Sequence, residues 1–190
     1  MTLKTVVGFG QNLLTYESSY ILGLARSLPE RAVAVNIGGG EGISAAAILE
    51  GAEHRGHFHL WSVDLLDCEN ERELIKHLKL DDPERFTQVV MDSKDFVQGW
   101  DGPDPELVFV DGSHDYEPAL YDMNAWSELI VPGGLLIAHD YQDPRQPKVT
   151  KAIRDWRKGK GKGWARLGRV CYTVAFRKPG GDDWSLGGRI

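Results

Sequence analysis

Two apolar runs in this sequence, residues 107–110 and 135–138, are followed directly by ionisable side chains. Asp111 follows the first run, and His139 and Asp140 follow the second. Runs of this length predict strands buried on both faces of a sheet, and open α/β sheets bind ligands where such strands end. We therefore expect Asp111 and Asp140 to meet in one crevice. The alternative is that each aspartate only caps the helix after it.

These side chains offer two kinds of chemistry, proton transfer and metal binding. His114 lies three residues beyond Asp111, and an imidazole titrates near neutral pH, so we predict that His114 is a general base and that Asp111 and Asp140 act with it. Asp111, His139 and Asp140 are also a candidate set of ligands for a divalent ion. A ring nitrogen among the ligands favours Mn²⁺, Zn²⁺ or Fe²⁺ over Mg²⁺. Two alternatives remain, a histidine that caps the next helix and an Asp140 that orients a histidine ring.

A glycine-rich loop with glycines at positions 38, 40 and 42 separates a β-branched run from an alanine-rich one. Glycine lets a backbone turn sharply and approach a ligand closely, and the helix that follows directs free N–H groups at that ligand. Asp64 ends the next predicted strand, where an acid can accept hydrogen bonds from ribose hydroxyls. The spacing differs from the dinucleotide fingerprint, so the loop alone does not choose among nucleotide-like ligands, and a tight turn without a ligand is the alternative.

Strand and helix patterns alternate along the chain, and the last two strands form an antiparallel pair that we expect to turn around Gly168. This order predicts an α/β, Rossmann-like three-layer sandwich whose seven-stranded sheet is mostly parallel, with an antiparallel terminal strand. We expect a single domain over residues 1–178 and a flexible tail over 179–190. The predicted strands include 31–37, 57–63, 86–90, 107–110 and 135–138, and the predicted helices are 12–28, 43–49, 70–80, 95–100, 116–129 and 149–158.

The composition limits the choice of partners and compartment. The chain has 190 residues with 28 acidic and 22 basic side chains, a net charge of −6. Such a balance lacks the cationic surface that nucleic acid or an anionic membrane requires, so we expect a small-molecule partner. The two cysteines show no disulfide or metal-binding spacing, and no leader or membrane span is evident. We therefore expect a cytoplasmic protein.

Three segments resemble class I S-adenosylmethionine-dependent methyltransferases, especially small O-methyltransferases of the catechol and sugar type. They are Val110–Tyr116, Val131–Gly134 and Ala138–Tyr141. The resemblance implies that the donor, S-adenosylmethionine, lies on the glycine loop. It also implies that Asp64 holds the ribose. The full set of cofactor-binding residues implied is Asn36, Gly38, Gly40, Gly42, Asp64, Asp92, Ser93 and Asp111, with Asp92 and Ser93 near the adenine.

The chain departs from this family's pattern in two places. Asn36 stands where the family commonly has an acid, and it stays a polar anchor for the amino-acid part of the cofactor. In catechol-type relatives acids after strands four and five, with a neighbouring Asp or Asn, hold a divalent ion, whereas here Asp140 has His139 and Tyr141 as neighbours. The resemblance therefore leaves a metal such as Mg²⁺, Mn²⁺ or Zn²⁺ as an open expectation.

We expect methylation of a hydroxyl group on a small molecule, a sugar or a phenol. One alternative is a regulatory module that binds S-adenosylmethionine without catalysis. A nicotinamide-dependent oxidoreductase fits less well, because both the glycine spacing and the terminal strand pair argue against it. A homo-oligomer in which a neighbouring subunit helps to bind substrate is a further expectation, and the loop 141–148 is the other candidate for that role.

Overall fold

The computed structural model describes residues 15–180, which form one seven-stranded sheet between two layers of helices. Residues 12–14 of the predicted first helix, and the predicted tail from residue 181 onward, lie outside the described residues. The strands are β1 (Arg31–Ile37), β2 (His57–Asp64), β3 (Phe86–Val90), β4 (Leu107–Val110), β5 (Leu135–Ala138), β6 (Ala165–Val170) and β7 (Thr173–Arg177). The helices are α1 (Thr15–Ala25), α2 (Ile43–Gly51), α3 (Glu69–His77), α4 (Ser93–Gln98), α5 (Tyr116–Leu129) and α6 (Pro147–Lys158).

The strands run in the spatial order β3-β2-β1-β4-β5-β7-β6. All neighbours from β3 to β5 pair in parallel, whereas β7 is antiparallel to both β5 and β6. The predicted fold class, a mostly parallel Rossmann-like sandwich with an antiparallel strand at its end, is confirmed. Within residues 15–180, no helix combines the length and the apolar character needed to cross a bilayer.

The continuous apolar runs arise because each central strand is covered on both faces. In β4, Leu107 and Phe109 pack with α1, α2 and α3, while Val108 and Val110 pack with α4, α5 and α6. All four side chains are buried. A period-two pattern of polar residues would leave charge in one of these layers, so both faces of the strand must be apolar.

Most helix boundaries differ by a few residues from the sequence-based expectation, as in α1, which ends at Ala25, and α4, which covers Ser93–Gln98. Two of the differences have a clear local cause. Helix α3 ends at His77 instead of residue 80, because Lys79 adopts a left-handed φ of 59° and the Leu80 N–H bonds back to the Ile75 carbonyl. This is a common way to terminate a helix. The expected turn at Gly168 is wrong: β6 continues to Val170, and Gly168 lies at a register shift within that strand.

The strand order reverses between β1 and β4, and this reversal opens the crevice in which the predicted site residues lie. Gly38 follows β1 with a φ of +96°, and a Cβ at this position would lie 2.2 Å from the Asp111 carbonyl oxygen. The chain after β1 therefore passes against the end of β4 only because residue 38 has no side chain. Gly40 also has positive φ, +47°, but a Cβ there would meet nothing within 4 Å.

Alanine substitutions at Gly38 and Gly40 test the close approach, because both residues have positive φ but only Gly38 lacks space for a Cβ. Gly38→Ala adds both backbone strain and a steric clash, so we expect it to lower the free energy of unfolding by about 3 kcal/mol. Gly40→Ala adds only the left-handed strain, which costs about 1 kcal/mol. Urea unfolding followed by circular dichroism measures both values. Equal losses in the two variants would contradict the close approach at Gly38.

Candidate functional site

The carboxyl ends of the parallel strands border two adjoining cavities of about 820 and 400 Å³. Both cavities are lined by Gly38, Asp64 and Gly112, so they meet above the ends of β1, β2 and β4. The larger one extends toward β3 and α5, and the smaller one extends over the glycine loop toward β5. Further lining residues are Leu65, Met91, Asp92, Ser93, Tyr121 and Asp122 in the larger cavity, and Asp111, His114, His139, Asp140 and Arg145 in the smaller.

Asp64 holds the glycine loop in place. Its Oδ2 accepts a hydrogen bond from the Gly39 N–H at 2.9 Å and a longer one from the Gly40 N–H at 3.4 Å. Its Oδ1 accepts from the Leu66 N–H at 2.9 Å, which ties the next loop to the same carboxylate. Gly42, with a φ of +80°, is the N-cap of α2. One carboxylate at the end of β2 thus organises two loops and still faces both cavities.

A buried polar network supports the loop from below. The Asn36 side-chain amide donates to the Gly38 carbonyl at 3.1 Å and to Ser62 Oγ at 2.9 Å, and the Ser62 hydroxyl donates to Glu71 at 2.5 Å. Gln88 donates to the other Glu71 oxygen at 2.6 Å. Burial raises the pKa of Glu71, although the bonds from Ser62 and Gln88 oppose this rise. Asn36 is fully buried beneath the loop, so it positions the backbone around the cavity floor.

The end of β3 contributes the predicted pair Asp92 and Ser93. Asp92 is the N-cap of α4 and accepts a hydrogen bond from the Lys94 N–H at 2.9 Å. Ser93 donates from its hydroxyl to Asp122 Oδ1 at 2.8 Å. Asp122 is 1% exposed, and its Oδ2 has no hydrogen-bond partner among residues 15–180. Burial raises the pKa of Asp122 to about 6, against the opposing effect of the Ser93 bond.

The ends of β4 and β5 bring together the four predicted catalytic and metal-binding side chains. His139 Nδ1 lies 3.1 Å from Asp111 Oδ1 and 3.3 Å from Asp140 Oδ1. The other Asp140 oxygen, Oδ2, lies 3.0 Å from His114 Nε2. Asp140 therefore contacts both histidines, one with each oxygen. His139 and Asp140 are buried, whereas the His114 side chain is 54% exposed and faces the smaller cavity.

A third acid, Glu17 of α1, completes this cluster. Its Oε1 lies 3.4 Å from His139 Nε2, and the same oxygen accepts hydrogen bonds from the Tyr172 N–H and the Thr173 hydroxyl. Burial lowers the pKa of His139, but the nearby carboxylates of Asp111, Glu17 and Asp140 outweigh it and raise the pKa to about 10. Burial and the Asp111 charge raise the pKa of Asp140, while the two histidines oppose that rise.

The backbone at Asp140 is held in a rarely populated conformation. Its φ is 58°, the left-handed region that costs most residues about 1–3 kcal/mol. The Asp140 carbonyl accepts from the Asp143 N–H at 3.2 Å and from the Thr150 hydroxyl at 3.4 Å, which keep the turn in this shape. Because the strain is balanced by these contacts, the Asp140 carboxylate is directed between the two histidines.

The structure thus places the predicted residues around one cleft, with Asn36 beneath it. Three buried acids on helices, Glu17, Glu71 and Asp122, were not predicted from the sequence. They contact His139, the polar network below the glycine loop, and Ser93, respectively. Each acid lies on the apolar face of its helix, as Asp122 does between Ala119 and Met123. An acidic residue within a helical apolar stripe was the available signal, because a carboxylate there must find a buried partner.

The raised pKa of Asp122 leads to a pH-dependent stability. An acid whose pKa is higher in the folded state stabilises the fold below its unfolded pKa, 3.8, and this contribution is lost as pH rises through about 6. Asp122→Asn retains an acceptor for Ser93 but does not titrate. Between about pH 4 and pH 7, we expect wild type to lose about 3 kcal/mol of unfolding free energy relative to this variant. A constant difference in denaturant unfolding across that range would contradict the assignment.

Comparison with known proteins agrees with the site geometry. The sequence model of a family described as a methyltransferase domain matches residues 35–141, more than half of the chain. An uncharacterized protein of Acanthamoeba polyphaga mimivirus is 35% identical over 60 residues, which are 29% of this chain and 27% of that protein. The chain therefore matches only about a quarter of the length of this curated relative.

Several solved structures share the fold. The cofactor-bound Rv0187 from MTB has a TM-score of 0.72 and 14% identity, over 94% of this chain and 87% of that one. An O-methyltransferase from Bacillus cereus in complex with SAH has a TM-score of 0.66 and 14% identity, over 85% and 80%. The O-methyltransferase TomG from Streptomyces achromogenes, in complex with SAM, has a TM-score of 0.65 and 17% identity, over 85% and 79%. The resemblance noted in the sequence is confirmed, and this chain belongs to the methyltransferase domain family.

Proposed function

We propose that this protein transfers a methyl group from S-adenosylmethionine to a hydroxyl oxygen of a small molecule. The observation that carries the proposal is the junction of two cavities at Gly38, Asp64 and Gly112, with the His114–Asp140 pair on the side away from the larger cavity. One cavity can hold a nucleoside while the other brings two reacting groups together. The two O-methyltransferases that share this fold bind SAM or SAH, and this supports the choice of donor.

The larger cavity suits the adenosine part of the donor. Asp64 lies at its junction with the smaller cavity, where ribose hydroxyls can donate to a carboxylate. Leu65 and Met91 supply apolar surface, and both are largely exposed in this structure, at 67% and 44%. Asp92 and Ser93 lie at the far end and provide polar groups for a base edge. A volume of about 820 Å³ is within the usual range of small-molecule sites.

The charge of the cleft also suits this donor, which supplies an electrophilic methyl group on a cationic sulfur when bound. The carboxylates of Asp64, Asp111 and Asp140 line the smaller cavity. Acidic groups on low-dielectric walls attract a cationic ligand and favour it over a neutral one. The neutral product of methyl transfer is then held less strongly, which assists its release.

His114 is the group that we assign to proton removal. Its Nε2 lies 3.0 Å from Asp140 Oδ2, so the neutral ring donates Nε2–H to this carboxylate and leaves Nδ1 as the proton acceptor. Its exposed position in the smaller cavity lets it reach an acceptor hydroxyl. As the hydroxyl oxygen forms its bond to the methyl carbon, the bond from that carbon to sulfur breaks and S-adenosylhomocysteine leaves. The hydroxyl proton passes to His114 Nδ1, and Asp140 stabilises the resulting imidazolium.

We further propose that a divalent ion binds Asp111, His139 and Asp140. One ligand atom from each residue lies within 4.8 Å of the others, and two of the three residues are buried. These donor atoms fit an ion held from one side, with the other side open to the cavity. Such an ion would lower the pKa of an acceptor hydroxyl and orient its oxygen.

We also propose a class of methyl acceptor, a cellular compartment and an oligomeric state for this protein. A sugar or phenol hydroxyl fits the smaller cavity, whose polar lining contains both acids and histidines. The net charge of −6 supports a small-molecule partner over nucleic acid or a membrane surface. Two free thiols, Cys68 and Cys171, support a reducing, cytoplasmic setting. A partner subunit that closes the exposed side of His114 would make the protein a homo-oligomer.

Substitution of the proposed base tests this function. We expect His114→Ala to lower the rate of methyl transfer by about 10²- to 10⁴-fold, because the acceptor proton loses its receiving group. Binding of S-adenosylhomocysteine should stay unchanged, since His114 lies on the opposite side of the cleft from the adenosine cavity. The measurement is transfer of a labelled methyl group from S-adenosylmethionine to a panel of phenols and sugars.

The control for this test is His54→Ala, which removes an exposed histidine outside the cleft. It should keep the wild-type rate. A His114→Ala enzyme that retains full activity would overturn the assignment of the base. Tight binding of the donor with no methylation of any acceptor would instead favour a regulatory module.

A further inference from the structure

Glu17 is a buried acid that the proposed reaction does not use. It is fully buried near the start of α1, and its Oε1 accepts hydrogen bonds from the Tyr172 N–H at 2.9 Å and the Thr173 hydroxyl at 3.0 Å. These bonds fix the carboxylate against the start of β7. From this position the same oxygen faces His139 Nε2 at 3.4 Å. The carboxylate is thus held by the sheet and directed at the imidazole.

The two nitrogens of His139 face different acids. Nδ1 faces the cavity side, 3.1 Å from Asp111 and 3.3 Å from Asp140, while Nε2 faces Glu17 behind it. Nε2 has no well-aligned hydrogen bond within residues 15–180. A ring with one nitrogen toward a group of ligands and the other toward a fixed carboxylate has the arrangement of a metal-binding histidine with its outer carboxylate.

The negative charges of the carboxylates around this ring also favour the binding of a cation. Three carboxylates, those of Glu17, Asp111 and Asp140, lie within 3.4 Å of His139. In the described part of the chain, the ion pairs that Asp111 and Asp140 make within 4.0 Å are with histidines alone. Buried carboxylates are stable when paired with positive charge or a metal. Without an ion, the protonated His139 ring supplies this charge. An ion between Asp111 and Asp140 would displace the Nδ1 proton and take over that role.

We propose that Glu17 is a positioning residue that holds the Nε2–H of His139, so that Nδ1 presents its lone pair to an ion bound by Asp111 and Asp140. A ligand set with one imidazole nitrogen and two carboxylates favours Mn²⁺, Fe²⁺ or Zn²⁺ over Mg²⁺, which prefers oxygen. His139 therefore sets the selectivity for the metal, and Glu17 of α1 maintains it by holding the ring in this orientation. This role of Glu17 rests on the proposed function, and it is tested by metal binding without any methyl transfer.

The experiment is calorimetric titration of chelator-stripped full-length protein with MnCl₂, ZnCl₂ and MgCl₂ separately. We expect one Mn²⁺ or Zn²⁺ per chain and affinity for Mg²⁺ that is at least about tenfold weaker. Glu17→Gln retains an oxygen for Tyr172 but loses the charge, so its Mn²⁺ affinity should fall about 10- to 100-fold. Glu73→Gln, which removes an exposed acid of α3, should bind Mn²⁺ like wild type.

Two further measurements keep the inference falsifiable if Glu17→Gln does not fold. Spin-echo spectroscopy of Mn²⁺ bound to wild type should show coupling to an imidazole nitrogen. His139→Asp creates an all-oxygen set and should bring Mg²⁺ affinity close to that of Mn²⁺. Equal affinities for Mg²⁺ and Mn²⁺ in wild type, no bound metal, or the absence of nitrogen coupling would each overturn the inference. Binding of S-adenosylhomocysteine to the same samples reports on the proposed function separately, because the adenosine cavity does not include Glu17 or His139.

Discussion

The close backbone approach between the ends of β1 and β4 is the constraint on which the cleft depends. The strand order reverses at this pair, and the chain after β1 can pass Asp111 only because residue 38 is glycine. From that point the glycine loop turns toward α2 and is fastened to β2 by Asp64. The ends of five parallel strands consequently open onto two cavities that share a border. A larger residue at position 38 would separate β1 from β4 and remove that border.

Around this border, buried carboxylates accept hydrogen bonds from neighbouring donor groups. Glu71 accepts from Ser62 and Gln88, Asp122 accepts from Ser93, and Glu17 accepts from the start of β7. Each acid extends from a helix into the layer behind the predicted site residues. A buried carboxylate with hydrogen bonds rigidifies its surroundings, because any movement leaves it without a partner. The site is therefore supported from behind by groups that do not themselves face the acceptor.

Much of this arrangement follows from the sequence. The apolar run Leu107–Val110 predicted a doubly covered strand, and the structure has a strand with these bounds. The pairing of Asp140 with His114 was foreseen only as one of several alternatives, because it depends on a left-handed backbone at Asp140 that spacing does not encode. The contact between Glu17 and His139 joins residues far apart in the chain. It arises from the packing of α1 beside β7, which local patterns do not specify. The prediction of a turn at Gly168 was wrong because glycine is typical of both turns and β-bulges, and the sequence does not distinguish them.

The most direct test of the donor site is calorimetric titration of S-adenosylhomocysteine into chelator-stripped protein. The adenosine cavity and the glycine loop are formed by the chain itself, so we expect saturable binding of one molecule per chain without added metal. Absence of binding, both in the stripped protein and after addition of Mn²⁺, would show that the two cavities do not form a site for a methyl donor.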